Sequence, residues 1–225
     1  MWPGVSDKKI LYQGAEAEIS ISKYMDFDVV KKQRLHKSYR IKQIDEKLIS
    51  SRTKEESKLI MEARQYGVSV PIIYDVDLKN GIITMEYLNG KRVKDIFNDL
   101  KTQDRKNICR KIGISIAKLH NNNIIHGDIT TSNMILQKNR IHFIDFGLGE
   151  KNPEIETKGV DLHVLSEAIE STHSKYSDYF KYVLEGYETE YKDDANQVFK
   201  KIDDIIKRGR YRWKKYILLL EIRVN

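Results

Sequence analysis

Two short polar motifs carry the residue types in this chain that are best suited to chemistry. The first, HGDITTSN, runs from His126 to Asn133, and the second, DFG, begins at Asp145, twelve residues after Asn133. A phosphoryl-transfer site uses one carboxylate to orient the nucleophile, and a carboxylate and an amide to bind metal ions. Asp128 is therefore a candidate acid-base residue, and Asn133 and Asp145 are candidate oxygen ligands for Mg²⁺ bound together with the phosphates of ATP.

Each of these three residues has a simpler explanation when it is taken alone, because Asp and Asn are common in turns. Asp128 and Asn133 would then be turn residues, and Asp145 would cap the next element. Their joint order, with a predicted strand hairpin between the two motifs, is much harder to explain by turn formation. The set as a whole favours an ATP site.

Such a site also needs a cation for the phosphates and an acid that holds this cation. The segment Val29-Val30-Lys31-Lys32 provides two lysines on a predicted strand. Side chains alternate along a strand, so only one of the two lysines would face the site. Glu55 and Glu56 lie on the following predicted helix, and either one can pair with the chosen lysine. Solvated surface charges are the alternative for all four residues.

The segment Gln13-Gly14-Ala15-Glu16-Ala17 lies between the first two predicted strands, where a phosphate-covering loop would be. It contains one glycine rather than the three of a glycine-rich loop. Backbone N–H groups near Gly14 and Ala15 could approach a phosphate. Glu16 would repel that phosphate unless it faces away or meets a basic partner.

The size and composition of the chain predict one folded domain or one domain with two lobes. The chain has 225 residues, a hydrophobic fraction of 40%, only three Pro, and no low-complexity segment. The single Cys109 cannot form an intrachain disulfide and lies in an apolar periodic stretch, which predicts a buried thiol in a reducing compartment. No apolar run approaches the roughly 20 residues that span a bilayer, so a cytoplasmic location is expected.

The net charge of +7 is concentrated in two segments, Lys31–Lys42 and Lys207–Lys215, each with six cations and no acid. Without these twelve cations the chain would have 28 bases and 33 acids. Local basicity of this kind suggests surfaces for a polyanion. In the second segment Tyr211 and Trp213 alternate with cations, a composition suited to nucleic acid, although a solvated helix end is the alternative. The candidate nucleic-acid contacts are Lys207, Arg208, Arg210 and Arg212.

The N-terminal part of the chain is predicted to consist mainly of strands. Two short strands are expected within Ile10–Tyr24, and further strands over Phe27–Lys32 and Ile72–Val76. Asn80-Gly81 predicts a type I′ hairpin turn before a strand over Ile82–Tyr87. A long charged stretch without proline, Ile44–Tyr66, predicts a helix between the third and fourth strands.

After Gly90 the pattern becomes helical. Apolar residues at spacings of four, four and three from Ile108 to Leu119 predict a helix that Thr102 or Asp104 could cap and that ends at residues 121–123. A short hairpin over 134–144 and helices over Val160–Ile169 and Ala195–Ile206 follow. The predicted organisation is a strand-rich lobe over residues 1–86, a helical lobe over 87–206 and a basic tail over 207–225.

Together these residues resemble protein kinases, and more closely the small atypical kinase and ATPase subunit of the KEOPS tRNA-modification complex, the p53-related protein kinase family. The likeness covers nearly the whole chain. Besides the two motifs above, it includes QGAEA at Gln13–Ala17, K-x-R-x-x-K-x-Y-R at Lys32–Arg40, R-T-x-x-E at Arg52–Glu56, and the basic residues at Arg208–Arg212.

The resemblance implies an α+β, protein-kinase-like bilobal fold. This fold has a strand-rich N-lobe with one long helix and a reduced helical C-lobe. The resemblance also implies ATP and Mg²⁺ as cofactors, Asp128 as the catalytic acid-base residue, and Lys32 with Glu56 as the ion pair at the phosphates. Glu86 and Leu88 fall where kinases present backbone groups to adenine. Residues Gln13–Ala17 fall where the phosphates are covered.

The function implied by the resemblance is ATP hydrolysis or serine/threonine autophosphorylation in support of N6-threonylcarbamoyladenosine formation on tRNA. The implied partners are the threonylcarbamoyl-transferring subunit, the other KEOPS subunits, and tRNA bound at the basic tail. Some archaeal relatives carry the kinase-like protein and the transferase in one chain.

The chain departs from ordinary protein kinases in three places. Only ten residues separate Gly149 from the helix predicted at Val160, so there is no room for an activation segment. Thr130 replaces a lysine that helps the transferred phosphate, and Gly127 replaces an arginine that reads a phosphorylated loop. Control by a partner protein is therefore expected instead of control by loop phosphorylation.

Two other functions are compatible with the same motifs. A kinase-like scaffold could bridge tRNA and the modifying enzyme without catalysis. Such a scaffold would not need all five of the proposed site residues, which are Lys32, Glu56, Asp128, Asn133 and Asp145. A related atypical kinase of ribosome maturation would share the lysine, the Asp and Asn pair and the short activation segment. The motif at Lys32–Arg40 and the presence of Phe146 favour the KEOPS family.

Overall fold

An antiparallel sheet of five strands and one long helix form the first part of the structure. The computed structural model describes residues 9–25 and 27–221, and the side chains up to residue 208. The strands are β1 (Lys9–Gln13), β2 (Ala17–Tyr24), β3 (Phe27–Arg34), β4 (Ile73–Asp77) and β5 (Ile82–Glu86). Their order in the sheet is β1-β2-β3-β5-β4, so β3 is central. The predicted strands are confirmed.

The predicted long helix is also confirmed, as α1 (Lys42–Gln65). Its buried side chains recur every three or four residues along one face. Two of these buried residues, Asp45 and Glu56, are acids in an otherwise largely apolar stripe. Acids are almost never buried without partners, so this face must meet basic groups.

The hairpin predicted at Asn80-Gly81 is confirmed, but its predicted turn type is wrong. Antiparallel pairing of Asp77 with Ile82 leaves a loop of four residues, 78–81, and of the two predicted turn residues only Gly81 has a positive φ, +64°. A type I′ turn needs positive φ at both central residues. The Asp77 carboxylate instead accepts hydrogen bonds from the backbone N–H groups of Lys79 and Asn80, each at 3.0 Å, and these stabilise a longer loop.

A second, smaller sheet is formed by β6 (Lys91–Arg92), β8 (Met134–Gln137) and β9 (Arg140–Phe143). The two residues between β8 and β9, Lys138 and Asn139, have φ values of +46° and +63°, the combination that a type I′ turn requires. The amide of Phe143 donates to the Ser69 carbonyl at 2.9 Å. These contacts join the β8–β9 hairpin to the first part of the chain.

The structure divides into two compact units whose boundaries differ from the predicted lobes. The first unit contains the described residues up to Asp95 together with Ser132–Glu150, and the second contains Ile96–Thr131 and the described residues from Lys151 onward. The difference from the predicted boundary at residue 86 arises because β6 pairs with β8, so the first unit extends past β5 and includes the later hairpin.

Helices make up most of the second unit. They are α3 (Thr102–Asn121), α4 (Ile155–Thr172), α5 (Phe180–Glu190) and α6 (Ala195–Glu221), preceded by the one-turn helix α2 (Val93–Ile96) at the boundary. The remaining elements of the described residues are the short strands β7 (Ile124–Ile125) and β10 (Glu150–Lys151) and three 3₁₀ helices, Phe97–Asp99, Thr131–Asn133 and Ser174–Tyr179. Helix α4 begins five residues earlier than the predicted Val160, so even fewer residues separate it from Gly149.

Two predicted helix ends need correction. The N-cap of α3 is Lys101, with no side-chain cap among the described residues, rather than Thr102 or Asp104. The Arg105 guanidinium holds the preceding loop instead, because it donates to the carbonyls of Phe97, Asn98 and Leu100. Helix α6 continues beyond the predicted end at Ile206 and includes Gly209. One Gly within a helix costs only about 1 kcal/mol, so it does not end the helix.

Helices α3 and α5 pack at unusually short range. A Cβ atom on Gly113 of α3 would lie 1.9 Å from the Val183 carbonyl oxygen, and one on Gly186 of α5 would lie 2.1 Å from the Arg110 carbonyl oxygen. Both distances are far below van der Waals contact, so the two backbones touch where the glycines have no side chain.

Cys109 lies on the buried face of α3, as predicted. Burial raises the pKa of its thiol to about 12, so the thiol is inert near neutral pH. In the part of the chain that the structure describes, no helix combines the length and apolar character needed to cross a membrane.

Candidate active site

Three charged side chains from distant parts of the sequence meet in the first unit. Lys32 Nζ lies 2.6 Å from Glu56 Oε1 and 2.7 Å from Asp145 Oδ1. The lysine and glutamate side chains are only 9% and 1% exposed, whereas Asp145 is 49% exposed. Burial alone would lower the pKa of Lys32, but the charges of Glu56 and Asp145 outweigh it and raise the pKa. The ammonium therefore stays charged.

Local structure explains why these residues, and not their neighbours, meet. Lys32 and Arg34 are two residues apart on the central strand β3, so they share one face, while Lys31 lies on the other. Glu56 belongs to the buried stripe of α1, and Glu55 is exposed to solvent. Lys31 and Glu55, which the sequence pattern left open as alternatives, are therefore not part of this contact.

The DFG segment places its carboxylate beside the lysine through an uncommon backbone conformation. Asp145 has a φ of +65°, and the Gly147 amide donates to Asp145 Oδ1 at 3.3 Å. A Cβ atom on Gly147 would lie 3.0 Å from that oxygen and 3.5 Å from Lys32 Nζ. Glycine therefore leaves room for the carboxylate and the ammonium at this position.

Asn133 lies beside the DFG segment, because the Ile144 amide donates to the Asn133 carbonyl at 3.0 Å. This bond links the end of the first motif to the residue before Asp145. A half-exposed carboxylate and an amide side chain are oxygen donors of the kind that Mg²⁺ prefers. The donor set therefore fits a magnesium ion held together with nucleotide phosphates.

The two residues predicted to bind adenine, Glu86 and Leu88, each form hydrogen bonds within the protein. The Glu86 amide donates to the Ile72 carbonyl at 2.8 Å, and the Ile72 amide donates to the Glu86 side chain at 3.1 Å. The Leu88 carbonyl accepts the Gly90 amide at 2.9 Å. These bonds do not involve the Glu86 carbonyl or the Leu88 amide.

The Gln13–Ala17 segment is a tight turn rather than an open loop. The Gly14 amide donates to the Ala17 carbonyl at 2.9 Å, so it is not directed at a ligand as the sequence suggested it could be. Glu16 has the basic partner that it needs, since Arg52 lies 3.4 Å from its carboxylate. Lys37 Nζ donates to the Ala15 carbonyl and holds the turn from the other side.

Asp128 belongs to the second unit, where a buried acid positions its loop. The Asp161 carboxylate, on α4, accepts hydrogen bonds from the backbone amides of His126 at 2.8 Å and Gly127 at 2.9 Å. His120 Nε2 lies 3.2 Å from the same carboxylate. Gly127 has a φ of +80°, which bends the chain so that both amides face Asp161.

Sequence reasoning did not single out Asp161. The available signal was an acid within the apolar stripe of a predicted amphipathic helix, since such an acid requires buried partners. Its partners come from the HGD loop and from α3, and their positions relative to α4 depend on tertiary packing. Among the described residues, its hydrogen bonds go to His120 and to the two backbone amides that precede Asp128.

We expect Asp161→Asn to destabilise the protein by about 2 kcal/mol near neutral pH, because hydrogen bonds to a buried charged group are each worth roughly 1.5 to 3 kcal/mol. Burial opposes the charged form of Asp161, but the hydrogen bond and charge of His120, the charge of His126 and the His126 amide outweigh it and lower the pKa. A lowered folded pKa gives stability that is complete above the unfolded value of about 4 and is lost as pH falls through the folded value.

The measurement is urea unfolding of both proteins at several pH values from neutral to about 3. The stability advantage of the wild type should shrink on acidification. Glu170→Gln, an exposed acid on the same helix, should show no such advantage at any pH. An advantage that grows as the pH falls would contradict the assigned role.

Three of the six cations of the first basic segment are paired with buried acids and do not form the polyanion surface that composition suggested. Lys32 and Arg34 are buried against Glu56, and Arg40 lies 3.2 Å from the buried Asp45. These cations form internal ion pairs, and composition alone could not reveal this. Hydrogen bonds from His36, the Lys37 amide and Arg40 outweigh the effect of burial and lower the pKa of Asp45.

The second basic segment is part of α6. Lys207 is exposed, whereas Arg208 pairs with Glu156 of α4. Lys201 Nζ lies 3.1 Å from the same carboxylate. The side chains of Arg210 and Arg212, also predicted to contact nucleic acid, lie outside the described residues.

Comparison with known proteins agrees with this arrangement. A family model described as the RIO domain matches residues 16–150. This range includes Lys32, Glu56 and Asp145. The fold is also similar to WaaP in its complex with acyl carrier protein, with a TM-score of 0.63 and 11% identity over 93% of this chain and 88% of that one. This likeness supports the kinase-like fold alone.

Similar sequences extend beyond the RIO match. The KEOPS complex subunit Bud32 of Pyrococcus abyssi is 45% identical over 93% of this chain and 99% of its own length. The "Probable serine/threonine-protein kinase BUD32 homolog" of Archaeoglobus fulgidus is 39% identical over 89% of this chain and 95% of its own length. The chain therefore belongs to the Bud32 family of RIO-domain, kinase-like proteins.

Longer relatives also match. The "Probable bifunctional tRNA threonylcarbamoyladenosine biosynthesis protein" of Methanobrevibacter smithii is 44% identical over 90% of this chain. The chain spans 36% of that relative's length.

Proposed function

We propose that this protein is a Mg²⁺- and ATP-dependent atypical serine/threonine kinase and ATPase that acts as a KEOPS subunit in N6-threonylcarbamoyladenosine formation on tRNA. The observation that carries this proposal is the contact of Lys32 with both Glu56 and Asp145. This contact occurs in a chain that is 45% identical, over nearly its whole length, to a KEOPS complex subunit. A buried lysine held between two acids is a phosphate-binding arrangement.

The described residues divide the work of phosphoryl transfer among them. Asp145 and Asn133 would hold Mg²⁺, which compensates the charge of the phosphates when it is bound. Lys32 would bind phosphate oxygens, and Glu56 would keep the lysine in place. The Glu86 carbonyl and Leu88 amide would bind adenine.

Asp128 would accept the proton of the attacking hydroxyl group, from a Ser or Thr side chain or from water. The nucleophile forms a bond to the terminal phosphorus as the bond to the departing ADP breaks. Asp161 supports this step indirectly, because it fixes the two backbone amides that precede Asp128. The same residues would serve phosphotransfer and hydrolysis.

Partner control fits the short connection before α4. Five residues separate Gly149 from Ile155, where α4 starts, so an activation segment that docks a protein substrate has no place. Gly127, at the position of the phosphate-reading arginine of protein kinases, uses its amide to bind Asp161 instead. We infer that the partner is a threonylcarbamoyl-transferring protein, the counterpart of the additional length of the bifunctional relatives.

Two alternatives are less favoured. A scaffold without catalysis would not need a buried lysine paired with two acids, and the structure keeps that arrangement. A kinase of ribosome maturation is compatible with the RIO-domain match alone, but relatives that match 93% and 90% of the chain are named for KEOPS and for threonylcarbamoyladenosine biosynthesis, respectively.

The decisive measurement is ATP turnover by the chain alone, with the separately purified transferase subunit, and with that subunit and tRNA. We expect turnover to require Mg²⁺, to stop when the metal is chelated, and to rise when the partner is added. Absence of turnover in all three mixtures would contradict the enzymatic function and leave the scaffold.

For tRNA binding we expect a chain that ends after Arg208 to bind tRNA more weakly and with a flatter salt dependence. This truncation removes the later cations of the basic segment and keeps the Arg208–Glu156 pair. Each lost phosphate contact should reduce the slope of log K against log salt by about 0.7 to 0.9. The measurement is a titration at several salt concentrations, and an unchanged slope would exclude the segment as an RNA contact.

A further inference from the structure

The buried Glu56 carboxylate has two cationic partners, one on each oxygen. Lys32 Nζ lies 2.6 Å from Oε1, and Arg34 Nη2 lies 2.5 Å from Oε2. Both basic side chains come from the same face of β3, two residues apart. Arg34 is 6% exposed, so the pair that it forms with Glu56 is shielded from solvent.

The charges of the four neighbouring groups balance in this structure. Lys32 and Arg34 carry two positive charges, and Glu56 and Asp145 carry two negative ones. Lys32 contacts both acids, whereas Arg34 contacts Glu56. In the proposed function, Lys32 is the residue that turns toward the phosphates, and Asp145 turns toward Mg²⁺.

The movement of Lys32 toward the phosphates would leave Glu56 with a weaker cationic partner. When Lys32 shares its charge with phosphate oxygens, its bond to Glu56 weakens, and a buried carboxylate without a cation is strongly unfavourable. Without a second cation, Glu56 would compete with the nucleotide for Lys32. Arg34 removes this competition, because its guanidinium stays charged at any physiological pH and binds the other carboxylate oxygen.

Arg34 is also close to the DFG segment. A Cβ atom on Gly147 would lie 3.5 Å from both Arg34 Nη2 and Lys32 Nζ. The Nε atom of Arg34 is buried and has no hydrogen-bond partner among the described residues, so the guanidinium is not held by a complete set of structural hydrogen bonds. Its closest described contact is the Glu56 carboxylate.

We propose that Arg34 is a positioning residue for phosphoryl transfer that holds Glu56 in place and so releases Lys32 to bind the nucleotide. This inference rests on the proposed function. It assigns a role to the arginine of the K-x-R motif, which acts through Glu56 and makes no contact with the phosphates.

The test is a double-mutant cycle on ATP turnover with Arg34→Gln, Glu56→Gln and the double variant. Arg34→Gln should raise KM for ATP at least tenfold and reduce kcat less, because Lys32 is held back from the nucleotide. Arg34→Lys, which keeps the charge, should restore KM to within about threefold of the wild type. In the Glu56→Gln background, Arg34→Gln should change KM by less than twofold.

Two results would overturn the proposal. Equal losses from Arg34→Gln in both backgrounds would show that Arg34 contacts the nucleotide directly. An unchanged KM with Glu56 intact would show a merely structural role, which thermal unfolding of the same variant would reveal. Lys31→Gln, a cation on the opposite face of β3, is the matched control and should change KM by less than twofold.

Titration of fluorescent ADP in the presence of Mg²⁺ separates failure of this proposal from failure of the proposed function. If the wild type binds the nucleotide and Arg34→Gln binds it equally well, the role of Arg34 is refuted. If the wild type binds no nucleotide, the proposed function itself fails, and the role of Arg34 fails with it.

Discussion

Asp145→Asn should lower ATP turnover by about a thousandfold or more, because it removes the proposed charged metal ligand from a reaction that depends almost entirely on positioning and charge compensation. The protein should remain folded. Asp145 is 49% exposed, and asparagine has nearly the same shape, so the substitution leaves no cavity. Lys32 loses one acidic partner but keeps Glu56 at 2.6 Å.

Turnover should be measured beside Asp128→Asn, which removes the proposed acid-base residue from the second unit, and Asp75→Asn as the control. Asp75 is an exposed acid on β4, so its substitution changes the charge of the first unit equally and should leave turnover within about twofold. Undiminished turnover in both the Asp128 and Asp145 variants would refute the catalytic role of the two motifs and favour the scaffold.

Gly113→Ala should destabilise the second unit by about 3 kcal/mol, near the upper end of the usual cost of overpacking. Its Cβ would lie 1.9 Å from the Val183 carbonyl oxygen and 2.7 Å from the Tyr187 backbone nitrogen, so α3 and α5 would have to separate. The expected change in the free energy of unfolding is opposite in sign to that of an ordinary Gly→Ala substitution. In an exposed helix, the same change stabilises by about 1 kcal/mol.

Chemical denaturation of the variant and the wild type measures this difference directly. Asn107→Ala, at an exposed position of the same helix, is the control and should change the free energy of unfolding by no more than about 0.5 kcal/mol. A stabilising effect of Gly113→Ala would mean that the two helices do not pack at the distance described.

Much of the fold could be predicted because its signals are local. The alternating strands, the long α1 and the periodic apolar face of α3 follow directly from side-chain spacing. The predicted turn type and the predicted helix cap were wrong because other nearby side chains stabilise the backbone at these places. The side chain of Asp77 stabilises a four-residue loop at Asn80-Gly81, and Arg105 holds the start of α3, so neither a type I′ turn nor a side-chain cap is needed.

The site was predictable in part for the same reason. Residue types and spacing indicated Asp128, Asn133 and Asp145, but they left Lys31 or Lys32, and Glu55 or Glu56, undecided. Only the register of β3 and the buried face of α1 separate these pairs in space.

The buried contacts of Arg34 and Asp161 join residues that are 22 and 35 positions apart in the sequence, respectively. No local pattern encodes contacts over such separations. The same applies to Lys32, Arg34 and Arg40 of the first basic segment, which looked like part of a surface in the sequence and are paired with buried acids.

The packing of α6 on α4 has a thermodynamic consequence for the loop that carries Asp128. A Cβ atom on Gly159 would lie 2.7 Å from Lys201 Cβ, and Asp161, two residues further along α4, holds the amides before Asp128. RNA that binds the end of α6 and shifts α4 would change the energy of that loop. By linkage, a nucleotide whose affinity depends on that loop would then change RNA affinity by the same factor, so RNA binding and nucleotide binding would be thermodynamically coupled.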